Sequence, residues 1–126
     1  MSTLYLTVLD EIYAVVRFAS NSEIPNWAYG GGFVSITMTG DELSIVCKNE
    51  SVPNDAVSES DWRIIKVMGP LDFSLTGILA GLSQPLAENK ISIFAISTYD
   101  TDYILVKNEQ LGQAIRVLNE EGYQFL

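Results

Sequence analysis

Histidine is absent from the chain, and cysteine occurs once, at position 47. Without histidine there is no Ser-His-Asp triad, and zinc sites built on Cys and His are excluded as well. One thiol forms no intramolecular disulfide, so nothing points to an oxidising compartment. Cys47 sits in the apolar stretch 43–47, where a buried, inert thiol is the expectation. Basic residues are few and scattered, at Arg17, Lys48, Arg63, Lys66, Lys90, Lys107 and Arg116, against 16 acidic ones and a net charge of −9. With no basic cluster to neutralise phosphates, nucleic acid and an anionic membrane surface are both disfavoured as partners. The acidity reads as solubility; attraction of a cationic ligand would need carboxylates converging at one site. No apolar run is long enough for a membrane span, and the opening MSTLYLT lacks the basic region of a secretion signal, so a cytoplasmic setting is expected.

The motifs of common enzymes are missing too. Gly30-Gly31-Gly32 precedes a strand, whereas a phosphate-cradling loop precedes a helix and carries Lys-Ser/Thr, so these glycines read as a flexible turn. Asp100 and Asp102 offer two carboxylates for acid–base work or a hard cation, but two positions apart at a strand start they read as a polar turn. The expectation is a protein that is not an enzyme, with no cofactor and no metal site.

What is present is the composition of a compact globular chain, 126 residues long and 48% hydrophobic. A polar segment at 49–61 (NESVPNDAVSESD) reads as a connector between two modules, 1–60 and 61–126. In the second, residues 62–68 are rich in β-branched side chains (Ile64, Ile65, Val67) and stop at Gly69-Pro70, which marks a strand and a turn. Leu75, Ile78, Leu79, Leu82 and Leu86 recur at helical spacing, with Asp72 or Ser74 as the N-cap and Pro85 bending the last turn. Strands at 91–98 and Asp102–Lys107 form a hairpin. Asn108 caps a second helix carrying Leu111, Ala114, Ile115 and Leu118, Gly122 ends it, and 123–126 close as a strand. The order is β-α-β-β-α-β, the ferredoxin-like α+β arrangement, an antiparallel sheet with helices on one face. The first module is less regular, with strands at Tyr5–Val8 and 13–18, a short helix at 22–29, and a hairpin of 33–38 with 43–47 around Gly40-Asp41. It reads as a degenerate copy of the second.

The stretch ISIFAISTYDTDYILV (91–106) resembles the signature of ACT domains of the CASTOR type, found in small bacterial proteins and in eukaryotic arginine sensors. The opening LYLTVLDEIYAVVRF and the segment IPNWAY resemble that family more weakly. The resemblance implies two ACT domains in tandem, forming a homodimer that binds a small effector, an amino acid, where modules meet. It implies effector contacts from Ser92 and Ile93, from Thr98, Tyr99 and Asp102, and from the turn 69–74 with Asp72 and Ser74. Elementary chemistry agrees in outline. A helix start receives a carboxylate, Asp102 holds an ammonium or guanidinium group, and Tyr99 lies against an aliphatic or cationic side chain. A structural reading stands beside each assignment: Asp102 and Asp72 as caps, Ser92 and Thr98 as ordinary strand residues, Ile93 and Tyr99 as packing. The alternative at the level of function is a structural or protein-interaction module with a vestigial ligand site and an unidentified protein partner.

Overall fold

The computed structural model describes residues 4–69 and 76–126. Its strands are β1 (Tyr5–Val8), β2 (Tyr13–Ala19), β3 (Ser35–Met38), β4 (Glu42–Lys48), β5 (Val57–Val67), β6 (Phe94–Ser97), β7 (Asp102–Lys107) and β8 (Gln124–Phe125), and its α-helices are α1 (Ile78–Glu88) and α2 (Leu111–Glu120). The chain divides into two compact units, Glu11–Trp62 and Met1–Asp10 with Arg63–Leu126.

The unit Glu11–Trp62 is a sheet in the order β3-β4-β2-β5. The antiparallel register Ala14↔Cys47, Val16↔Ile45, Phe18↔Leu43 puts alternate apolar residues of β2 and β4 on one face, where they pack with Ala28. The helix expected over 22–29 is only a 3-10 turn, Asn26–Tyr29. Pro25 at its start is extended, and the residue before a proline is driven out of the helical region, so the helix does not extend ahead of it. The hairpin at Gly40-Asp41 forms as expected, with the Thr39 hydroxyl accepting the Asp41 and Glu42 backbone N–H groups, each at 3.1 Å. The connector expected at 49–61 is shorter than its composition suggests, because β5 already begins at Val57. Its polar residues lie on exposed strand positions paired with β2 through Val15↔Glu59 and Tyr13↔Trp62. That register skips one residue, and Asp61, at φ 67°, sits in the resulting bulge; Asp is one of the few side chains that tolerates this conformation.

The other unit carries the β-α-β-β-α-β order from β5 to β8, so the ferredoxin-like α+β reading holds. One face of its sheet, with Ile65, Val67, Ile104 and Val106, is covered by Leu82 and Leu86 of α1 and Ala114 and Leu118 of α2. Two features differ from the sequence expectation. The strand Tyr5–Val8 lies in this unit, between β5 and β8. Leu4, Leu6 and Val8 alternate, and Leu6, fully buried beside Ile65 and Val67, draws the strand into this core. The sheet is also mixed, since β1 runs antiparallel to β5 (Leu6↔Val67) but parallel to β8 (Leu6↔Phe125). Arg63 fixes the end of β1, with Nη2 donating to the Leu9 carbonyl at 3.3 Å and Nη1 to Asn108 Oδ1 at 3.3 Å. Asn108 is thus engaged by Arg63 and does not cap α2, which follows a 3-10 turn at Asn108–Gln110. Helix α1 starts after Gly77 in the left-handed region (φ 77°), without a side-chain cap; the caps expected at Asp72 or Ser74 lie outside the described residues. It continues through Pro85, whose buried ring sits in the last turn, and Asn89 Nδ2 closes that turn on the Pro85 carbonyl at 2.8 Å.

Candidate functional site

The end of the β6–β7 hairpin brings together three of the expected contact residues, Thr98, Tyr99 and Asp102. The two strands are joined by the turn Thr98-Tyr99-Asp100-Thr101, closed by a bond from the Thr98 N–H to the Thr101 carbonyl at 2.9 Å. Thr98 braces it twice more, its hydroxyl donating to the Thr101 carbonyl at 3.1 Å and accepting the Thr101 N–H at 3.4 Å. One pair further along, Ser97 and Asp102 face each other across the ladder, and the Ser97 hydroxyl donates to Asp102 Oδ1 at 2.6 Å. This is a short, charge-assisted bond that orients the carboxylate. Thr101 turns inward: its buried hydroxyl donates to the Val67 carbonyl at 2.7 Å, tying the turn to the end of β5.

Beside this turn lies a cleft of about 170 Å³, lined by Lys66, Met68, Gly69, Thr98, Asp100, Thr101 and Tyr103. The Lys66 ammonium stands 6.0 Å from the centre of the Tyr103 ring, within cation–π range. Sequence reasoning missed Lys66, because a single lysine in a strand has no motif. Only the pairing of β5 with β7 in the folded sheet sets it beside the hairpin.

The other expected contacts are distributed differently. Tyr99 is 81% exposed at the turn tip, not packed in a core. Ser92 and Ile93 precede β6, at its opposite end from the turn; the four residues of β6 stand between, so Ile93 and Thr98 are about 16 Å apart along the strand. Ser92 is exposed, and Ile93 packs against the core under the helices. Asp72 and Ser74 lie outside the described residues. A second, more open groove of about 330 Å³, lined by Gly81, Gln84, Pro85, Glu88, Glu121 and Tyr123, holds none of the expected residues. Among the described residues no group of three or more Cys, Asp or Glu side chains is placed to hold a metal ion.

The family model for the ACT domain matches residues 57–120, and a model of an N-terminal domain matches residues 11–55. The cytosolic arginine sensor for mTORC1 subunit 1 from Bos taurus is 34% identical over 117 residues, which cover 82% of this chain and 36% of that protein. The chain therefore spans about a third of the length of the curated relatives it matches. A crystal structure of a protein from Agrobacterium tumefaciens superposes with a TM-score of 0.94 at 40% identity, covering 100% of this chain and 94% of that one. The ligand-free regulatory subunit of aspartate kinase from Thermus thermophilus shares the fold, with a TM-score of 0.67 at 13% identity over 92% of this chain and 95% of that one.

Proposed function

The chain belongs to the ACT domain family, and on that footing we propose that it is a non-catalytic regulatory module that binds a small amino acid at the end of the β6–β7 hairpin. One observation carries the reading: Asp102, held by Ser97 at 2.6 Å, presents an oriented carboxylate at the same hairpin end as the small cleft. An oriented carboxylate is what an ammonium or guanidinium group needs. The curated relatives named as arginine sensors support an amino acid as the effector, with arginine the first to try. The expected contacts Ser92 and Ile93 are too far along β6 to touch the same small molecule within one chain. They join the site when a second copy supplies them, which is the role of the homodimer in this proposal. Binding changes the assembly or its partner surface only if the effector prefers one of the two states. As its named relatives do, the protein would act in the cytosol.

The alternative, an interaction module whose site is vestigial, takes support from the same turn. Thr98, Ser97 and Thr101 satisfy its polar groups internally, so Asp102 serves as a brace. A thermal-shift screen against the common L-amino acids separates the two. A ligand at about 100 times its Kd adds roughly 2.7 kcal/mol, which raises Tm by several degrees. Asp102→Ala should abolish that shift and leave the oligomeric state unchanged. Silence across the whole panel, with the assembly lost in Asp102→Ala, would replace the sensor reading with the interaction reading.

A further inference from the structure

We infer that the cleft beside the hairpin is the pocket for the α-ammonium and α-carboxylate of a free amino acid, with Lys66 taking the carboxylate and Asp100 the ammonium; this rests on the amino-acid reading above and places the head group. The cleft is lined by one cation and one anion, and neither forms an ion pair with a described residue. Opposite charges that line one small void without closing on each other leave a place for a molecule that carries both. A simple anion would meet Lys66 but be repelled by Asp100, and a simple cation the reverse. A zwitterion satisfies the two together.

Size and shape agree with this. Pockets for drug-sized ligands run from about 300 to 1,000 Å³. A cleft of about 170 Å³ takes a small molecule, or one end of a longer one. Lys66 is half-buried, with its ammonium stationed over the Tyr103 ring, so its charge is held at the wall and less of its freedom is lost on binding. Met68, 38% exposed, supplies an apolar wall, and Gly69 adds no side chain to close the opening. Selectivity follows from desolvation: a ligand missing one charge leaves Lys66 or Asp100 covered and unpaired.

The test uses the full chain and calorimetric titration of the L-amino acid giving the largest thermal shift, its methyl ester, which lacks the carboxylate charge, and its N-acetyl derivative, which lacks the ammonium. Lys66→Met keeps the apolar stem, and Asp100→Asn keeps the shape of the side chain, so both variants should match the wild-type melting point without ligand. Each should weaken binding of the free amino acid at least about tenfold, the loss of one charge-assisted hydrogen bond. Esterification should weaken binding to the wild type but not further in Lys66→Met, and N-acetylation should behave in the same way towards Asp100→Asn. If both variants bind like the wild type while Asp102→Ala does not, the head group lies elsewhere and only this inference falls. If no amino acid binds the wild-type chain, the amino-acid reading falls and takes this one with it.

Discussion

The Thr101 hydroxyl donates to the Val67 carbonyl across 2.7 Å in a site closed to solvent, and this bond joins the hairpin turn to the end of β5. Thr101 is the polar residue among the fully buried described side chains of this core, so its bond has no water to replace it. Thr101→Val preserves the shape and removes the donor, leaving the Val67 carbonyl without this partner. The expected cost is about 1–3 kcal/mol, read by urea denaturation with an unchanged m-value. Thr98→Val, whose bonds lie at an exposed turn, should cost less. Equal costs at the two positions would show that burial of the Thr101 bond contributes nothing.

Gly81 on α1 faces Tyr123: a Cβ at position 81 would lie 2.8 Å from the Tyr123 hydroxyl. Replacing a helical glycine by alanine ordinarily stabilises by about 1 kcal/mol. In Gly81→Ala that gain should be reduced or reversed, because the tyrosine must move. In a Tyr123→Phe background the obstructing oxygen is gone, and the same substitution should recover the full gain. A double-mutant cycle measures the coupling directly, and additive effects would mean that the ring gives way freely.

How much of this was legible beforehand differs between the units. Leu82, Leu86, Ala114 and Leu118 lie at helical spacing and form the helix layer, and the sequence showed both helices and the hairpin. The placement of β1 was not legible, since the alternation of Leu4, Leu6 and Val8 announces a strand but not its neighbours. Pairing with β5 and β8 is a long-range choice made by the core that Leu6 fills. The start of β5 was hidden because Val57–Asp61 is polar, and a half-exposed strand with a bulge has the composition of a connector. At the candidate site, Thr98 and Asp102 were expected from the family resemblance of the segment 91–106, not from the hairpin pattern itself. Lys66 was not, since only the fold sets it beside the turn.

Cys47, next to the end of β4, is 1% exposed, and burial pushes its thiol above the ordinary range. The thiolate is the reactive form, so both access and ionisation oppose alkylation. Iodoacetamide should label the folded chain slowly and the urea-unfolded chain fast. In the native state the labelling rate should fall as stabilising ligand is added if opening of the Glu11–Trp62 unit is coupled to global unfolding. A rate that ignores ligand would show that this unit opens on its own.

Tyr123 gives the chain a pH response in the alkaline range. Burial raises its phenol above the ordinary value of 10.0, and the neighbouring Glu121 carboxylate raises it further. The neutral form is therefore favoured in the folded state more than in the unfolded one. Below pH 10 both states carry the proton, and the contribution to stability is fully present. As the pH rises past 10 the unfolded chain ionises first, the balance tilts towards it, and the contribution is lost up to the folded value. Chemical denaturation of the wild-type chain should therefore show stability declining above pH 10, and more steeply than in Tyr123→Phe. Glu121→Gln should move the onset of phenolate absorbance in the folded protein downwards, because it removes the second cause and leaves the first. If instead that onset is unchanged in Glu121→Gln, burial alone sets the shift, and the Glu121 charge does not reach the phenol.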